Sequence, residues 1–222
     1  MTPLNKVSNP NTGDAHQSHS AQRFVIRRLR RLIPKRSSEL SWTAAERVAT
    51  AQGALAARLA DRSGHDVVDF IGTLPVVRIE LDKHLPDSHI SYWDERSRQW
   101  AIVVRATDPG IDRRSSVLHE FKRILDRGHE LALYDPRYPH GHVQAEVAAD
   151  QFASSAMMPT KKVRSAIAQG ADVPALVKQF RVTPARVARR LSDLNLIPIT
   201  TPHSKGGKHH EHEHAPHERS SP

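Results

Sequence analysis

Leu118-His119-Glu120-Phe121-Lys122-Arg123 is the stretch on which the fold turns. The pattern H-E-x-x-H on a helix sets two imidazoles one turn apart on one face, where both reach a single metal ion. The glutamate after the first histidine then acts as general base on metal-bound water. His119 and Glu120 supply the first half of that pattern, and the second histidine's place is held by Arg123. Arginine carries five donors, no usable acceptor and a fixed charge, so it cannot ligate a metal.

The chain around this stretch has 222 residues, enough for one domain with tails or two small domains. Cysteine is absent, which excludes disulfides and thiolate metal sites and fits a reducing compartment. No apolar run reaches the roughly 18–20 residues of a membrane span. Residues 1 to 20 are polar with no apolar h-region, so no signal peptide is expected and the expected location is the cytoplasm. The net charge of +9 favours acidic partners such as nucleic acid or anionic lipid. Much of it is local: arginines alternate with apolar residues from Arg23 to Ile33, and Pro34 stops the run. As a helix this leader is basic and amphipathic. It is expected to dock its apolar side on the domain, with membrane-surface or nucleic-acid contact as the alternative.

Residues 1 to about 20 and the tail from Pro202 onward lack periodicity and are expected to be disordered. A helix is expected from Thr43, with Thr43 and Glu46 as a capping box and Val48, Ala51, Leu55 and Leu59 on one stripe. It ends near Gly64, and a short helix over Val67 to Ile71 follows. Val76 to Leu81 reads as a strand. His89 to Trp93 and Gln99 to Val104 read as a hairpin around a polar turn. A helix from about Asp112 carries His119 and Glu120. Another from about His142 to Met158 is closed by Pro159. Lys161 to Gln169, Val173 to Phe180 and Pro184 to Leu194 complete a helical C-terminal extension. The expected class is α+β, with a small antiparallel sheet. The expected divisions are a leader at 1–37, a core domain at 38–159, the extension at 160–197 and a His-rich tail at 198–222.

Three pieces now stand in order: Ser116 to Lys122 around His119-Glu120, then Glu146-Val147-Ala148-Ala149-Asp150-Gln151-Phe152-Ala153, then Met157-Met158-Pro159. Together they resemble the ImmA/IrrE family of metallo-endopeptidases, over roughly residues 40 to 196. The resemblance implies a zincin-like fold in which the two motif histidines and the glutamate of the second helix hold zinc. By position it makes His119 and Glu146 metal ligands and Glu120 the catalytic base. It implies a regulatory peptidase cutting a helix-turn-helix repressor, often in mobile elements. The alternative is a non-catalytic pseudopeptidase, or a DNA-associated regulatory protein.

Arg123 leaves three readings open. The site is dead, with the guanidinium paired to Glu120 or Glu146 in place of the metal. Or a substitute ligand serves: His142 and Asp150 lie one turn either side of Glu146, and His129 and His140 are loop alternatives. Or zinc binds weakly or with a partner's help.

Elsewhere, Val173 to Leu191 has helix-turn-helix character, with Thr183 as an N-cap and Arg181, Arg186, Arg189 and Arg190 making it basic. A buttress for the domain is expected, and a DNA-reading helix is the alternative. The tail histidines (His203, His209, His210, His212, His214, His217) fit a flexible tail or a low-affinity metal-binding one. Trp42, Trp93 and Trp100 are expected in packing. By analogy with zincins, the Gln99 to Arg105 strand is the expected edge for an extended substrate.

Overall fold

The architecture follows from which residues can sit at the centre of the sheet and which helices can approach one another closely. It is seen in a computed structural model that describes residues 24–35, 41–137 and 139–196. The leader forms α1 (Val25–Arg30). Its apolar side is docked, since Val25, Leu29 and Ile33 are buried in the common core. Arg30 reaches across and donates to the carbonyls of Ile124, Leu125 and Arg127 at 2.8, 3.0 and 3.3 Å. Those are end-of-helix carbonyls that no intrahelical donor serves.

The long helix α2 (Trp42–Arg62) starts one residue before the expected capping box. Ser41 is the N-cap and accepts from the Ala44 N–H at 3.2 Å, which places Thr43 inside the first turn. Its buried stripe is also not the expected one. Ala45, Ala49, Gly53, Ala56 and Ala60 are buried, while Val48, Leu55 and Leu59 flank them and Ala51 is exposed. The reason is proximity to α6 (His140–Met157). A Cβ on Gly53 would lie 2.5 Å from the Phe152 carbonyl oxygen and 2.9 Å from the Ser155 Cβ. Two helix backbones this close exclude large side chains from the seam. Gly53→Ala is therefore expected to destabilise by about 1–2 kcal/mol, despite roughly 1 kcal/mol gained in helix propensity. An unchanged urea midpoint would show that the two helices separate freely.

After α3 (Val67–Gly72) come β1 (Val77–Asp82), β2 (His89–Asp94) and β3 (Gln99–Arg105). β2 and β3 form the expected antiparallel hairpin. β1, however, pairs parallel to β3, so the sheet is mixed, with order β1-β3-β2. β3 holds the continuous buried run Ala101 to Val104 and takes the central place, where both edges are paired. The connection at residues 83–88 is long enough to carry the chain past β3's position to the far edge. Gln99 to Arg105 therefore cannot be the edge for an added strand, and β2 is. The Arg105 N–H donates to the Ser88 carbonyl at 2.9 Å. With the pairing register this fixes the alternation: the main-chain groups of His89, Ser91 and Trp93 point away from β3.

α4 (Gly110–Asp126) then lies against β2 and β3; after the short α5 (Glu130–Leu133), α6 packs on α4 and α2 packs on α6, so the helices stack behind α4 on that side of the sheet. Arg114 grips Asp66, the N-cap of α3, through two hydrogen bonds of 2.8 Å. The extension is α7 (Thr160–Ala168), α8 (Val173–Phe180) and α9 (Pro184–Asp193). Asp172 caps α8, and Thr183 caps α9 as expected. Leu176, Phe180, Val187 and Leu191 join the core. Arg190 is 2% exposed and donates to the Met158 carbonyl at 3.1 Å, capping the end of α6. Arg186 donates to Ser115 Oγ at 2.5 Å. The helix pair buttresses the domain, and three of its four arginines, Arg186, Arg189 and Arg190, are spent on contacts with it. The expectations for the terminal tails, including the tail histidines, lie outside the described residues.

Candidate functional site

His119 and Glu120 come from the middle of α4, Glu146 and Asp150 from one face of α6, and His89 and Ser91 from the inward side of β2. The helix and strand periods place them there: positions 119 and 123 are one turn apart, as are 146 and 150, and 89 and 91 share a strand face. His119 is 8% exposed. Its Nε2 lies 3.1 Å from Glu146 Oε2, and its Nδ1 lies 3.5 Å from Asp150 Oδ1. The Glu146 contact is off the line a hydrogen bond needs, so Nε2 is buried without a hydrogen-bond partner. Arg123 Nη1 pairs with the other oxygen of Glu146. Glu120 is engaged by β2: His89 Nδ1 is 2.8 Å from one carboxylate oxygen, and the Ser91 hydroxyl donates to the other at 2.5 Å. The His89 and His119 rings lie 4.9 Å apart.

The charges interlock. Burial alone would lower the His119 pKa, but Asp150 and Glu146 outweigh it and raise it from 6.5 to about 9. The contact with His119 holds Glu146 below the usual carboxylate range against its burial, with help from Arg123. His119 likewise lowers Asp150, against burial and with help from Arg186 and Arg189. Burial pushes Glu120 up, but hydrogen bonds from His89 and Ser91 bring it below its ordinary value. Two cations, imidazolium and guanidinium, thus face the two carboxylates of α6.

The folded pKa of His119 is above the unfolded one, so its protonation stabilises the fold fully below about pH 6.5 and is lost as pH rises through about 9. Stability measured by urea unfolding is expected to fall by on the order of 2–3 kcal/mol between those limits. His119→Gln should flatten that slope, and an equal slope in the variant would assign the effect elsewhere.

Among the alternatives to Arg123, Asp150 stands at the opposite ring nitrogen from Glu146. From that side it cannot share an ion with Glu146 through the same ring nitrogen. His142 is exposed and lines the same cleft as Glu146 and Arg123, a hollow of about 650 Å³. His129 lines a different groove, and His140 is exposed at the start of α6. His89 and Ser91 were not singled out from sequence. The signal was their i, i+2 spacing, which puts two polar groups on one face of a strand.

The donor set can be weighed against zinc directly. His119 Nε2 and Glu146 Oε2, 3.1 Å apart, fit two corners of a tetrahedral ion. The residue one turn after His119, where the motif has its second histidine, is the Arg123 cation, and it pairs with the other oxygen of Glu146. The other convergent group is His89, His119 and Glu120, whose ligand atoms lie within 4.8 Å of one another. It would use Glu120 as a ligand, and the carboxylates left beside it, Glu146 and Asp150, are paired with Arg123 and Arg189. Neither group, among the described residues, offers three ligands together with a free carboxylate, so the residues do not fit a catalytic zinc as they stand.

A mixed sheet, a helix bearing His-Glu packed on it, and a second helix bearing Glu146 define a zincin-like domain, with a cation, Arg123, one turn after His119. The family model described as Peptidase M78, the IrrE N-terminal-like domain, matches residues 73–192. That is more than half of the chain, and the chain belongs to this family, one of metallopeptidases and regulators. The match begins just after α3, downstream of the start near residue 40 that the motifs imply. No curated protein matches the chain. Among solved structures, a Mycobacterium tuberculosis transcriptional regulator is similar at 18% identity with a TM-score of 0.45. The alignment covers 85% of this chain and 54% of that one, so the chain spans about half the regulator's length. No described helix is long and apolar enough to cross a membrane.

Proposed function

We propose that this chain is a regulatory, partner-binding member of its peptidase family, with the metal's charge replaced by Arg123. The carrying observation is the Arg123–Glu146 ion pair at the third ligand position. A protonated His119 adds to it, because zinc would have to displace that proton as well as the guanidinium. The partner is an extended segment of a protein. It adds to the open edge of β2, where main-chain groups of His89, Ser91 and Trp93 are turned outward beside the cleft. A helix-turn-helix repressor is the partner the family resemblance implies.

A metallo-endopeptidase is the second reading, and the unpartnered Nε2 of His119 facing a carboxylate favours it. It needs a third donor, and His142 is the nearest candidate by its place on the cleft. The test is zinc content by mass spectrometry after equilibration with the metal, alongside incubation with a co-encoded repressor. Far less than one zinc per chain, and binding without cleavage, are expected. Stoichiometric zinc, or cleavage that Glu120→Gln abolishes, would establish the enzyme instead.

A further inference from the structure

A second groove, of about 750 Å³, lies between α1 and the far end of the sheet. Its floor is apolar and includes Trp93 and Trp100, which meet edge-on with ring centroids 5.4 Å apart. Trp93 is 37% exposed, a large fraction for an indole in a groove. The opposite wall carries Arg27, Arg31 and Lys35, all exposed, and among the described residues no carboxylate lines the groove. Arg27 and Arg31 are one turn apart, about 6 Å along the helix, and so form a row. Arg30, by contrast, is committed to the carbonyls of α4. The guanidinium of Arg127 lies 5.5 Å from the Trp100 ring centroid.

From this pairing of flat rings with a facing row of cations, we propose that the groove binds single-stranded nucleic acid. Phosphates lie along Arg27, Arg31 and Lys35, and a base lies against Trp93. Stacking on an aromatic ring tolerates any base, while the cation row tracks the backbone. The concavity argues against a lipid surface, which calls for apolar groups that protrude. It argues against duplex too, whose bases are not free to stack. An acidic peptide would satisfy the cations but give the exposed indole no flat partner.

The test uses the full chain carrying Trp42→Phe, so that the two groove tryptophans alone report. Titration with a short oligothymidylate is expected to quench their emission, with affinity falling linearly in log salt. Arg27→Ala with Arg31→Ala should weaken binding at least tenfold and lower the salt slope by about 1.4, from two phosphate contacts at roughly 0.7 each. Trp93→Ala should weaken binding while leaving the slope unchanged, which separates stacking from charge. No quenching, or quenching indifferent to the double arginine variant, would overturn the proposal. Tighter response to oligoglutamate or to phosphatidylserine vesicles would also overturn it, in favour of a peptide or a membrane.

Discussion

Arg123→His is expected to raise the zinc content from well below one ion per chain to about one. Position 123 lies one turn after His119 on the same face of α4, the side on which Arg123 now pairs with Glu146. An imidazole there would join His119 Nε2 and Glu146 Oε2, which stand 3.1 Å apart. Three donors suffice for a zinc site with one position left open. The substitution also removes a fixed positive charge from beside the ion. His119 must still give up its proton, so uptake should release protons and weaken as pH falls. Glu146→Gln added to Arg123→His should reverse most of the gain. If Arg123→His stays metal-free at neutral pH, then Arg123 is not what keeps zinc out. Metal alone need not restore cleavage, because both oxygens of Glu120 are engaged by His89 and Ser91.

What could be read from the chain, and what could not, divides along physical lines. The meeting of His119 with Glu146, and the Arg123–Glu146 pairing, follow from residues one turn apart on two facing helices. Local helical periodicity carries that information. The place of Asp150 was legible but its task was not. Which ring nitrogen a carboxylate meets depends on the side-chain torsions of His119, and no spacing records those. His89 and Ser91 were hidden because strand register and strand order bring them to Glu120. The same gap put the open edge on the wrong strand. The apolar run Ala101 to Val104 held the clue, for a strand buried on both faces belongs in the middle. In α2 the larger apolar residues mark a helical stripe in the sequence, yet the seam is made of alanine and Gly53. Close approach of two backbones is set by the partner helix, which a single helix's pattern does not contain.

Lys122→Met is expected to cost about 3–5 kcal/mol, since it removes one member of a buried ion pair and leaves the other. Lys122 stands inside the motif yet is 0% exposed. Its ammonium hydrogen-bonds Asp126, and the Tyr134 hydroxyl donates to the other oxygen of that carboxylate at 2.5 Å. Burial drives Lys122 below its ordinary pKa and Asp126 above its own, each opposed by the other's charge. Burial also raises the Tyr134 phenol, so it stays protonated and remains a donor. The triad ties the stretch after α5 to α4, and Asp126 and Tyr134 line the cleft beside Glu146. With methionine at 122, Asp126 loses its cation and must take up a proton or open the wall to water. Thermal unfolding should fall by roughly 10 °C, at about 2–4 °C per kcal/mol for a chain of this size. Replacing the triad together, Lys122→Met with Asp126→Leu and Tyr134→Phe, should recover most of the loss, because no polar group is then stranded. A single variant within 1 kcal/mol of wild type, as ordinary surface changes are, would show that water reaches Asp126 and that the wall is not sealed. A triple variant no more stable than the single would place the cost in packing around the lysine stem rather than in the orphaned carboxylate.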